Sequence, residues 1–277
     1  MRPAPPVFVA HLFPELHAAL IDVLRSLDAG DWQRPTVCAG WSVKDVAAHV
    51  LADDLGVLSR GRDGYMASWI ETEDRDALVT AINEQNEAWV QTMRRVSPEL
   101  LVELLEHSGP QLAAHFASVD LNAMGPPVTW AGPGRAPVWL DVAREYTERW
   151  LHQAQIREAA GRAHLDAPGL FAPVLATFVR ALPETYRATA AADGASVRIA
   201  IAGDAGGVWS IVREAAGWQL FEGSGEGRPD ASVEMDQDAA WRLFTRGLSA
   251  AAARDRVRIT GDRALGEVAL EAVAIIA

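Results

Sequence analysis

VWLDVAREYTERWLHQAQIREAAG, residues 138–161, is the stretch whose reading decides the fold. It contains no proline, and its one glycine, Gly161, stands where a helix C-cap belongs. The spacing predicts one long helix over 138–160. Helical phase puts Glu145, Glu148 and His152 on nearly the same face as Val138, Val142 and Ile156, with Arg149 and Trp150 elsewhere. Polar groups on a partly apolar face need partners. Glu148 and His152 are four residues apart, one turn from each other, so the pair can chelate an ion without bending the helix. Most isolated pairs of this kind are surface hydrogen bonds, so a third residue has to come from another helix.

His49 is that residue. It lies in DVAAHVLADDLG, where Val46 and Val50 are core-facing at helical spacing. Two buried histidines and a carboxylate on separate helices make a candidate site for one divalent ion: His49, Glu148 and His152. Three protein ligands leave a coordination position open, as in catalytic zinc centres. Two imidazoles and a carboxylate suit zinc best.

Working outward, a first helix is expected over 7–28, with apolar Leu16, Leu20, Val23 and Leu24. A second runs over about 42–58, where Ser42 and Asp45 form a capping-box pattern. A third is expected from Asp74 to Val96, and a fourth from Ser97-Pro98 to Val119. The Gly- and Pro-dense 122–137 is irregular. After Asp166-Ala167-Pro168-Gly169 comes one helix over 170–190. Short runs rich in Val, Ile and aromatics follow: SVRIAIAG, GVWSIVRE, GWQLFEG and ASVEMD. They predict antiparallel strands and hairpins, then a helix over 237–246, a strand in RVRITGD and a terminal helix from Arg263. The expected class is multidomain α and α+β, with a helical bundle over 1–165 and a small α+β domain over 170–277.

The chain has 277 residues, a formal net charge of -12 and a pI near 5.0, which argues against a nucleic-acid footprint or a polybasic membrane anchor. One cysteine, Cys38, rules out an intrachain disulfide. The N-terminus reads as no signal peptide, so a cytoplasmic setting is expected.

The block DWQRPTVCAGWSVKDVAAHV, with Trp32, Pro35-Thr36, Cys38, Gly40-Trp41, Asp45 and His49, resembles the N-terminal signature of the mycothiol-dependent maleylpyruvate isomerase family. REYTERWLHQAQIREAAGR is the second matching block. The resemblance implies a DinB-like four-helix bundle that binds metal through His49, Glu148 and His152, followed by a sterol-carrier-like domain. It also implies mycothiol as a thiol cosubstrate and a small electrophilic, anionic substrate, in an isomerase or S-transferase. The chain departs from the family at Gln155, where an aspartate is usual. It also reads Thr245-Arg246-Gly247 in place of a T-G-R turn, so Arg246 is an approximate counterpart of the family's catalytic arginine.

Other residues have plainer readings. Asp45 is a helix cap before it is a support for His49. Cys38 is a packed thiol, Glu145 a weaker competitor of Glu148, and Arg60 and Arg62 surface arginines. His107, His115 and His164 lack partners at ligand spacing, while Trp130 and Trp139 flank the irregular loop and are candidates for a pocket mouth. The rival functions are a metal-stabilised binding module and a metal-assisted hydrolase.

Overall fold

The computed structural model describes residues 1–66, 75–225 and 227–275. The chain divides into two compact units. One is helical and comprises Val9–Asp120 and Glu145–Leu165. Its helices are α1 (Phe13–Arg25), α2 (Val43–Val57), α3 (Arg75–Met93), α4 (Pro98–Ser118) and the larger part of α5 (Val138–Ala159). These match the expected helices to within three residues, except that α1 begins six residues later than expected and the expected start at Asp74 lies outside the described residues. Gly161 follows α5 with φ 63°, the left-handed conformation that a C-terminal glycine supplies without strain.

α2 is the central element. The Ser42 hydroxyl accepts the Asp45 N–H, and the Asp45 carboxylate accepts the Ser42 N–H at 2.9 Å. Asp45 therefore caps the helix, as its spacing predicts, and also pairs with Arg94 at 3.1 Å. Every residue from Val43 to Leu51 is buried, so the first half of this helix has no solvent face, and only its last turns reach the surface, at Leu55. Val46 and Val50 pack with Leu24, Leu101, Leu105 and Ile156 in the hydrophobic core.

The buried polar groups of such a helix must be satisfied internally. Asp54 does so through Arg149 of α5, whose Nη2 lies 2.9 Å from Asp54 Oδ1. The same guanidinium donates to Glu145 Oε2 at 2.7 Å, and Ser108 of α4 donates to Asp54 Oδ2 at 2.7 Å. Arg149, expected on a different face from Glu145 and His152, is thus interior: a four-residue step brings its long side chain back to Glu145.

The other unit comprises Met1–Phe8, Leu121–Arg144 and the chain from Asp166 onward. The compact units therefore do not follow the single break expected at 165–170. Helix α6 (Pro168–Phe178) continues through a 3-10 turn into α7 (Leu182–Thr185), where one helix was expected. The six-stranded sheet has the order β1-β4-β3-β2-β5-β6, with β1 (Arg2–Pro3), β2 (Ser196–Ala202), β3 (Gly207–Glu214), β4 (Gly217–Glu222), β5 (Ala231–Asp236) and β6 (Arg258–Gly261). Val197, Ile199 and Ile201 alternate inward along β2, beside Val233 and Met235 of β5. α8 (Gln237–Phe244) packs on β2 and β5, and the short α9 (Ala250–Ala253) and α10 (Arg263–Glu267) complete the unit.

One pairing departs from the antiparallel reading, since β5 runs parallel to β2. One strand was not expected at all: the chain's second and third residues pair antiparallel with β4 at the sheet edge. Arg180 fastens that N-terminal segment by donating to the carbonyls of Ala4 and Pro5, and its guanidinium lies 5.3 Å from the Trp139 ring centre. A two-residue strand held by backbone and arginine contacts carries no alternation that a sequence pattern can register.

Removing Asp54 leaves Arg149 buried with half its compensation. Asp54→Ala is expected to destabilise the helical unit by about 3–5 kcal/mol in urea unfolding. A loss below about 1 kcal/mol would mean that the pair does not hold α2 to α5.

Candidate functional site

His49 projects from the middle of α2 and His152 from α5, both buried. Their ring centres are 4.6 Å apart with the planes nearly perpendicular, at 89°. Asp53, one turn after His49, closes the group. His49, Asp53 and His152 can each offer a ligand atom, and those atoms all lie within 4.8 Å of one another. Glu148 Oε2 sits 3.6 Å from His152 Nε2, and Asp53 Oδ2 sits 3.6 Å from His49 Nε2. Each imidazole therefore has a carboxylate one turn away on its own helix.

Of the residues singled out in the sequence, His49 and His152 come together with Asp53, while Glu148 stands beside His152. Asp53 went unnoticed, although His49 and Asp53 carry the same four-residue spacing, in reverse order, that drew attention to Glu148 and His152. Glu145 gives its carboxylate to Arg149. Arg246 belongs to the sheet-containing unit. Arg62 is engaged by Asp63 and by Gln111 at 2.7 Å. His107 and His164 are exposed, and His115 is half-buried against Phe116. Trp130 is buried, and Trp139 is the ring beneath Arg180.

Electrostatics in the cluster follow from burial. Burial, and then the neighbouring His152, hold His49 well below the usual imidazole range, which keeps it neutral. About a quarter of the Asp53 side chain remains accessible (27%), yet it sits amid packed atoms and burial pushes its carboxyl up to about 7. Burial also works against charge on His152, but the neighbouring Glu148 carboxylate and the Asp53 charge outweigh it, so its pKa is raised. His49 Nδ1 is buried with no hydrogen-bond partner among the described residues. Leaving such a nitrogen unpaired costs about 1–3 kcal/mol. An orphaned ring nitrogen, two imidazoles and flanking carboxylates fit a divalent ion of the zinc type.

The loop ahead of α2 builds one wall. Trp41 lies against His49, ring centres 5.2 Å apart, with its indole N–H on Glu87 at 2.8 Å. Cys38 is half-buried, and burial raises its thiol pKa, in keeping with a packed rather than nucleophilic cysteine. A separate cavity of about 310 Å³, lined by Leu51, Leu55, Leu58, Trp89 and Met93 among others, lies towards the face of α2 opposite His49.

Residues 13–157 match the family model described as the mycothiol maleylpyruvate isomerase N-terminal domain. The chain belongs to this family. Among solved structures, it is similar to a mycothiol-dependent maleylpyruvate isomerase at 13% identity, with a TM-score of 0.53 and 91% of each chain covered. A single-site mutant of such an isomerase matches at 14% identity and a TM-score of 0.52, with the same coverage. At this identity the likeness speaks for the fold, over both parts of the chain. No curated protein matches the sequence.

A calorimetric titration with Zn²⁺ is expected to show one tight site that His49→Ala and His152→Ala each abolish. Asp53→Asn and Glu148→Gln separate the two carboxylates, since loss of the ligating one weakens binding far more than loss of its neighbour. Undiminished Zn²⁺ binding by His49→Ala would remove the site.

Proposed function

We propose that this protein is a metal-dependent enzyme using mycothiol as cosubstrate, an isomerase or S-transferase acting on a small, electrophilic, anionic molecule. The observation that carries this reading is the meeting of His49 and His152 with acidic side chains inside the helical unit of a chain from a mycothiol-linked family. In this reading His49 and His152 hold the ion, with Glu148 as the third ligand expected from sequence and Asp53 as the alternative carboxylate. A divalent ion held there would supply Lewis acidity that lowers the pKa of a thiol brought beside it.

The chain's own groups prepare that chemistry. His49 is kept neutral and so has a lone pair to give. Trp41 covers one side of its ring and keeps water from it. The cosubstrate thiol gives up its proton to solvent, and the thiolate adds to an activated double bond of the substrate to leave an enolate, which takes up a proton where the adduct is the product. Rotation about the resulting single bond followed by expulsion of the thiolate gives the isomer, with no net change in atoms or electrons. Where the adduct is released instead, the outcome is S-transfer.

Arg246 is the proposed anchor for the substrate's anionic group. It is exposed, and with φ 59° it is the one non-glycine residue in the left-handed region among those described, just past the end of α8. That conformation costs about 1–2 kcal/mol in a residue with a Cβ, although Gly247 is the next residue. A functional side chain accounts for the choice. By the same reading the helical unit is a DinB-like bundle and the sheet unit a sterol-carrier-like domain. No described helix is long and apolar enough to cross a membrane, which agrees with a cytoplasmic enzyme.

Calorimetric titration of metal-loaded protein with mycothiol is expected to show binding that disappears on metal removal, together with mycothiol-dependent turnover of maleylpyruvate or related electrophiles. Absence of both would sink the reading in favour of a binding module, and thiol-independent, metal-dependent turnover would favour a hydrolase. Arg246→Gly is expected to raise stability by about 1 kcal/mol while raising KM for an anionic substrate. Unchanged kinetics would remove Arg246 from the site.

A further inference from the structure

Behind His152 stands a second pair of contacts that the proposed reaction does not use. Gln155, three residues along α5, places Oε1 2.9 Å from His152 Nδ1. The Cys38 thiol donates to the same oxygen at 3.3 Å. Cys38 is fixed in turn, since its N–H donates to Thr36 Oγ1 at 3.2 Å and its carbonyl accepts the Trp41 N–H at 3.0 Å.

We propose that Gln155 is a positioning residue for His152: its amide oxygen, oriented by the Cys38 thiol, holds the ring as the Nδ1–H tautomer and leaves Nε2 free for the metal. Oε1 accepts and cannot donate, so Nδ1 must carry the proton. Turning the amide over would place an NH₂ group against Nδ1 and remove the acceptor from the S–H. Two donors converging on one oxygen therefore select one orientation of the amide and one tautomer of the ring. Burial, which raises the thiol pKa, keeps Cys38 protonated and able to donate. The free nitrogen, Nε2, is the one on the Glu148 side. A neutral amide performs this task without adding a charge beside Asp53, Glu145 and Glu148.

The inference rests on the metal-site reading, and the test separates the two. In metal-free protein carrying nitrogen-15-labelled histidine, NMR at alkaline pH, where the ring is neutral, should report His152 as the Nδ1–H tautomer. Gln155→Ala should shift it towards Nε2–H, and Gln155→Glu, which keeps the acceptor, should restore Nδ1–H. In chelator competition, Gln155→Ala should bind Zn²⁺ about 10–100-fold more weakly, and Gln155→Glu at least as tightly as the parent protein. Cys38→Ala should weaken binding by less, and Cys38→Ser, which retains a donor, should recover it. An Nε2–H His152 in the parent protein overturns the proposal. So does a Gln155→Ala variant with unchanged tautomer and Zn²⁺ affinity. If the parent protein bound no Zn²⁺ yet kept the Nδ1–H tautomer, the metal reading would fall while the role of Gln155 in holding the ring stood.

Discussion

Arg149 is buried between Asp54 and Glu145, and the rest of the helical unit is arranged around that charge. A guanidinium stays inside a protein only where carboxylates and hydrogen bonds replace the water it has lost. Asp54 supplies one from α2 and is itself held by Ser108 of α4, so three helices meet on a single cation. That meeting fixes the register of α2 against α5 more sharply than interchangeable aliphatic contacts would. His49 and Asp53 lie within five residues of Asp54, and His152 lies three beyond Arg149. The distance between the two imidazoles is therefore set by an ion pair next to them.

Charge balance follows from the same arrangement. Asp53, Asp54, Glu145 and Glu148 bring four acidic groups to this region, against one guanidinium and two imidazoles. Arg149 is matched by Asp54 and Glu145, which leaves Asp53 and Glu148 facing the histidines. A divalent cation would offset the two carboxylates that face the histidines. The raised carboxyl of Asp53 and the raised imidazole of His152 are what such a region does with protons alone.

Much of this was legible in the sequence, and the failures have particular causes. Gly161, Ser42 with Asp45, and Ser97 with Pro98 mark helix ends through local hydrogen bonding, so local sequence is enough to read them. Helical spacing puts Glu148 and His152 on one face of α5, and His152 meets His49 of α2 in the structure. Spacing does not report how far a long side chain reaches or which carboxylate of a pair is buried, so Asp53 and the interior position of Arg149 carry no clear signal in the sequence. The parallel pairing of β5 with β2 is a long-range choice with no local signature. Gln155 is legible only as a departure from a family pattern. Its part in the site depends on Cys38, 117 residues away. The single turn from Thr36 to Trp41 thereby supports both imidazoles, His49 through Trp41 and His152 through Cys38 and Gln155.

The two residues of β1 bear on how the molecule is made. Arg2 reaches Glu222 across 220 positions of sequence, so the sheet cannot gain its last strand until nearly the whole chain has been synthesised. Without β1, β4 would present an unpaired edge, the kind of surface on which strands of other chains add. A fragment beginning after the bundle would keep that edge permanently. The natural unit of expression for the sheet domain thus includes the opening segment of the chain, and a tag fused there adjoins a working strand rather than a loose end.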